Sequence, residues 1–137
     1  MKVGITGTRD GATGYQESQM RQILSKLWHD GAEFHHGDCV GVDALGAQIA
    51  RSLGYVIVCH PPESDYLRAY EVSDHFREPK DYHTRDRNIV DETDLLIVVP
   101  KQMVPQNKGG TWYTHGYAVK KKKPLQLILP AARGLEI

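Results

Sequence analysis

The residues of this chain whose types and spacing point to chemistry are arginines, threonines and glycines gathered around strand ends, and the chemistry is anion binding. From Thr84 to Thr114 the sequence reads TRDRN, IVDETDLLIVVP, KQMVPQNK and GGTWYT. That pattern predicts a basic helix start, a buried strand, a loop, and a glycine turn opening a second helix. The free N–H groups of a first helical turn and the helix dipole both favour negative charge. Arg85 and Arg87 lie just before the strand, and Arg9 follows Gly7-Thr8 after the first strand. Each offers a planar fork that suits phosphate. Gly109, Gly110 and Thr111 form the turn itself. The expectation is a phosphate-bearing small molecule bound here.

Other candidates gather at the remaining strand ends. Gly7, Gly37, Gly109 and Gly110 permit close approach of backbone to a ligand. Asp38 and His60 also fall at strand ends. Asp43, at the start of a helix, reads either as an N-cap or as an acceptor for a ribose hydroxyl. The chain has neither a Walker A motif nor a GxGxxG fingerprint. His35, His36, His60, His83 and His115 form no HxH or HxxxH pair, so no metal is expected. No nucleophile elbow is present, and Cys39 and Cys59 stand in no CxxC spacing, which reads as two buried free thiols. No resident cofactor is expected.

The elements that must position these residues alternate. Lys2–Thr6 is a first strand. Thr13 and Gln16 fit a capping box, and Met20, Ile23, Leu24, Leu27 and Trp28 form the apolar stripe of the helix that follows, with Gly31 as its C-cap. Ala32–His36 is a weak second strand, followed by a helix through Leu45, Ile49 and Leu53. Tyr55–Cys59 is a nearly all-apolar third strand, stopped by Pro61 and Pro62. Glu63–His83 is a long connection of the kind that serves as a lid, with a short helix in SDYLRAYEV. Thr84 caps the next helix, Leu95–Pro100 is the clearest strand, and Leu125–Leu129 is the last. Lys120–Lys123 complements the dipole of the helix it ends. The fold class is therefore α/β: a Rossmann-like, doubly wound, mainly parallel five-stranded sheet with helices on both faces. Ligands of such sheets bind outside the carboxyl ends of the strands.

The chain's 137 residues suffice for one domain, read here as residues 1–130 with a tail over 131–137. Lys plus Arg and Asp plus Glu each total 17, so the net charge is zero. That balance, with no aromatic–basic stripe in the sequence, argues against nucleic acid as a partner. No secretory signal or apolar run of about 20 residues occurs, which excludes a membrane-spanning helix and predicts a cytoplasmic protein.

Four stretches in order, GITGTR, HGDCVGVDALGAQIA, RDRNIVDETDLLIVVP and GGTWYTHGYAVKKKKP, resemble the SLOG superfamily. That group includes the DNA-processing protein DprA, the LOG phosphoribohydrolases and the YspA-like proteins. The resemblance covers all but Glu63–His83 and the tail. It implies a Rossmann-like fold, a nucleotide-derived ligand at the strand ends and, by analogy with LOG proteins, a homodimer. In LOG enzymes an arginine and a glutamate serve N-glycosidic hydrolysis of a nucleoside monophosphate. Arg85 matches that arginine, but the glutamate position falls on Thr114, which cannot act as a carboxylate acid or base. The leading expectation is therefore a sensor or ligand-binding domain. The alternative is a LOG-like N-glycosidase using Arg85 with Glu92 or Asp43.

Overall fold

The computed structural model describes residues 1–132. Most of the expected tail, residues 133–137, lies outside them. Six strands form one open parallel sheet: β1 (Lys2–Gly7), β2 (Glu33–His36), β3 (Val56–Cys59), β4 (His75–Phe76), β5 (Leu95–Val99) and β6 (Leu125–Leu127), in the order β4-β3-β2-β1-β5-β6. The helices are α1 (Gly14–Leu27), α2 (Val42–Leu53), α3 (Tyr82–Glu92) and α4 (Gly110–Lys120). The α/β doubly wound architecture is as the sequence implies. The strand missing from the five-strand expectation is β4, only two residues long and exposed, with no apolar alternation to reveal it.

Each strand of the pattern Ile-Val or Leu-Ile presents alternate side chains to two faces. On β5, Ile97 and Val99 join Val3, Ile5, Phe34, Met20 and Leu24 beneath α1 and α2. Leu96 and Val98 join Ile89, Val90 and Ala118 beneath α3 and α4. Helices therefore cover both faces in pairs. The topology changes direction between β1 and β5, whose register pairs Val3 with Leu95 through Gly7 with Val99.

Local signals account for the helix starts. The Thr13–Gln16 capping box forms, and the buried Gln16 amide also donates to Pro100 O at 2.7 Å and Ile128 O at 2.9 Å, tying the ends of β5 and β6 together. Three expectations need correction. Helix α1 ends at Leu27, so Trp28 is its exposed C-cap rather than part of the buried stripe, and Gly31 lies beyond the cap. The cap of α3 is Asp81, whose carboxylate accepts from Thr84 N three positions on, the N3 residue that capping reaches. Residues 64–72 are not helical: Leu67 and Tyr70 hold φ of 55° and 56°.

Candidate functional site

At the switch between β1 and β5 the connections leave on opposite faces, opening a crevice beyond the strand ends. Two adjoining cavities occupy it, of about 560 Å³ and about 830 Å³. Both are bordered by Arg9, Arg85, Asp86, Lys108, Gly109, Gly110 and Trp112. The smaller runs from Gly7, Thr8 and Arg9 past Asp43 to Lys101 and Thr111. The larger lies against α3 and α4.

The N-terminus of α4 opens into both. Its N-cap, Gly109, sits at φ 93°, a conformation glycine adopts without strain. Among the described residues no side chain caps the first turn, and no acid of the helix itself lies in it; Gly110, Thr111 and Trp112, whose N–H groups have no partner within the helix, border the cleft. Trp112 Nε1 donates to Gln102 Oε1 at 2.9 Å and steadies the preceding loop. Arg9 is exposed, with its guanidinium over the Tyr82 ring at 5.4 Å. Lys101 Nζ is paired with Asp10 at 2.8 Å. Thr8 Oγ1 accepts from Asp10 N at 3.1 Å.

Arg85 plays a different part from the one its position suggests. It is buried, and Nη1 donates to Gly37 O and more weakly to His60 O at 3.4 Å. Nε donates to Asp86 Oδ1 at 2.7 Å and Nη2 reaches Cys39 Sγ at 3.7 Å. The guanidinium borders the cleft, but most of its donors are committed within the protein. Gly37 and Gly7 serve the same internal packing. A Cβ on Gly37 would lie 2.5 Å from Arg85 Nη1, and one on Gly7 would lie 2.3 Å from Val42 Cγ1. Their missing side chains make room for neighbours.

Four other predicted residues stand apart from the cleft lining. Asp38, buried at φ 59°, bonds Arg68 Nε at 2.8 Å and Glu71 N at 2.9 Å, pinning the 63–81 excursion to the end of β2. Of the Glu63–His83 connection expected from the sequence, only Tyr82 and His83, which begin α3, line the cleft; the 63–81 excursion does not. His60 is buried against His35, with His35 Nδ1 and His60 Nε2 2.8 Å apart, and burial pushes its pKa down to about 3. Glu92 sits at the far end of α3, paired with Arg77 at 2.9 Å and 3.8 Å from His60 Nδ1. His35, His60 and Glu92 thus come together, although their sequence spacing announces nothing. Arg87 reaches from α3 to α4, donating to Tyr113 OH at 2.7 Å, and also donates to Thr84 Oγ1 at 3.2 Å.

Two buried carboxylates do border the cleft. Asp43 accepts from Gly37 N at 3.1 Å and Cys39 N at 3.4 Å, so it caps the β2–α2 loop, while Gly41 is the N-cap of α2. Burial pushes Asp43 up to about 6 against the attraction of Arg85. Asp86 was not singled out by the sequence, although it stands between Arg85 and Arg87. Burial raises its pKa against the same arginine, and its Oδ2 lies beside Gly110. Thr114 is buried beneath the turn, its hydroxyl donating to Gly110 O at 2.7 Å. Lys108, Tyr82, Tyr113 and Tyr117 also line the cleft unforeseen; Lys108 could have been found by its place directly before the two glycines.

No protein-family model matches the chain, and no curated protein matches it. Solved structures do. The molybdenum cofactor binding protein of Rippkaea orientalis matches with TM-score 0.72 and 19% identity over 95% of this chain and 77% of its own. DNA processing protein A of Helicobacter pylori, described by its single-stranded DNA binding mode, matches at 0.65 and 23% over 98% and 67%. The molybdenum cofactor carrier protein of Chlamydomonas reinhardtii matches at 0.66 and 21% over 92% and 74%. The chain shares the Rossmann-like α/β fold of these proteins. The expectation against nucleic acid gains no support from them, since one is described as binding single-stranded DNA. No helix among the described residues is long and apolar enough to cross a membrane.

Proposed function

We propose that the chain binds a nucleotide or nucleotide-derived phosphate ligand in this cleft, as a ligand-binding or sensor domain. The observation that carries the reading is the uncapped α4 N-terminus, opening with Gly109 into a crevice bordered by Arg9 and Lys108. The phosphate sits on the first-turn N–H groups of α4 between those two cations. Thr8 and Thr111 add hydroxyls, and Asp43 or Asp86 accepts from a ribose hydroxyl. Molybdenum cofactor binding by proteins of the same fold supports a small-molecule ligand. A thermal-shift series with AMP, ADP-ribose, NAD and cyclic nucleotides tests it. A ligand at about 100 times its Kd adds about 2.7 kcal/mol of stability. No shift with any of them removes the reading.

One observation favours N-glycoside hydrolysis as the second reading: Asp86 supplies, beside the glycine turn, a buried carboxylate of raised pKa where Thr114 has none. Release of free base from nucleoside monophosphates, lost in a folded Asp86→Asn variant, establishes hydrolysis; no release leaves binding alone.

A further inference from the structure

The larger cavity follows one face of α4. Gly110, Tyr113, Gly116, Tyr117 and Lys120 recur at spacings of three and four, so they form one stripe along the helix, and all five line that cavity. At ~1.5 Å per residue the stripe runs about 15 Å from the anion-binding end to Lys120. Its aromatic rings are held in place. His83, from α3, stacks on Tyr113 with centroids 3.9 Å apart and planes 10° from parallel. Arg87 donates to Tyr113 OH at 2.7 Å, and Tyr117 OH donates to the Asp91 carboxylate at 2.8 Å. Gly116 leaves the floor open, because a Cβ there would meet nothing within 4 Å. Each cavity alone, at about 560 Å³ and 830 Å³, has the size that accommodates one small ligand.

We propose that the groove along α4 is a subsite for a second ligand unit. A ligand whose phosphate is held at the α4 N-terminus extends along the helix, lays a planar ring on the tyrosine face and brings a second anionic group to Lys120. The chemistry is that of two linked nucleotide units, supplied either by a free dinucleotide or by the end of a single strand. The inference rests on the anion-binding reading above.

Titration calorimetry with AMP, a 5′-phosphorylated adenylyl dinucleotide and a twelve-residue oligothymidylate tests it, on the native protein and on Gly116→Leu and Lys120→Ala. Leucine is a better helix former than glycine, and nothing opposes its Cβ, so Gly116→Leu keeps its fold while its side chain fills the groove floor. The dinucleotide is expected to bind about tenfold or more tightly than AMP, the lower part of what one stacked base contributes. Gly116→Leu removes that gain with AMP affinity unchanged, and Lys120→Ala reduces it. Tighter binding of the twelve-mer identifies a strand as the source of the second unit; dinucleotide affinity equal to or above the twelve-mer's identifies a free dinucleotide. Equal affinity of AMP and dinucleotide for the native protein overturns the subsite, as does a gain that survives Gly116→Leu. In both cases AMP binding leaves the anion site standing. Failure of every probe overturns both.

Discussion

Arg85 and Arg9 carry the same guanidinium to the same cleft, yet one is buried and the other exposed. Arg85 is buried, and its donors reach Asp86, Gly37 O, His60 O and Cys39. Replacing it by alanine strands a buried carboxylate, so Arg85→Ala is expected to cost about 3–5 kcal/mol of stability. Urea denaturation measures it, and a loss below ~1 kcal/mol contradicts the structural role. It follows that loss of function in Arg85→Ala says nothing about chemistry. Titration separates the buried groups. Asp43 has its pKa raised to about 6, so the folded state holds the proton more tightly than the unfolded chain, and its contribution is lost as pH rises through about 6. His36 and His60 are shifted the other way, to about 4 and about 3, so their contribution is complete above the unfolded value of 6.5 and is lost as pH falls toward those values. Asp43→Asn keeps an acceptor for Gly37 N and removes the cost of ionising a buried acid. The variant is expected to be more stable than the native chain at pH 7 by roughly 1–3 kcal/mol, with the difference vanishing near pH 4. A variant less stable at pH 7 shows that the charge of Asp43 is needed by Arg85.

At the scale of elements, the 63–81 excursion shows what the sequence could and could not convey. Its length suggested a lid, but its conformation depends on Asp38, far away in sequence. The Asp38 carboxylate binds Arg68 and the Glu71 N–H, Asp38 O accepts from Ala69 N at 2.7 Å, and Leu67 O accepts from Val40 N at 3.0 Å. Pro62 pairs with Lys80 at the base of the excursion, and β4 adds its two residues to β3. These are long-range polar contacts with no periodic signature. The capping box at Thr13 and the apolar strands β3 and β5 were legible because their causes are local. Asp38→Ala is expected to accelerate proteolytic cleavage within 63–81 several-fold or more, since Arg68 and the Glu71 amide lose their partner. Nucleotide binding is expected to persist, because the excursion does not line the cleft. Binding lost together with protection reinstates a lid.

At the scale of the molecule, alternation of strands and helices gave the doubly wound sheet, and the rule for such sheets gave the crevice. The aromatic–basic groove was hidden because Tyr82 and His83 on α3 meet Tyr113 and Tyr117 on α4 only after β5 is inserted between β1 and β6. Net charge is a weak guide for a related reason: zero over 137 residues does not describe a cleft where Arg9, Lys108 and Lys120 are exposed while Asp43 and Asp86 are buried. Local field, not net charge, governs an anion's approach. Arg9 therefore distinguishes binding from stability. It is exposed, so Arg9→Ala is expected to leave the melting temperature of the free protein nearly unchanged. A lost charged hydrogen bond to phosphate is worth about 1.5–3 kcal/mol, so AMP affinity is expected to fall roughly 10- to 150-fold. Affinity of the native protein is also expected to fall as salt rises, and less steeply in Arg9→Ala, because one fewer cation contributes to the attraction. Equal AMP affinity and equal salt dependence in the two proteins, measured by calorimetry from low to physiological ionic strength, place the phosphate elsewhere than between Arg9 and the α4 N-terminus.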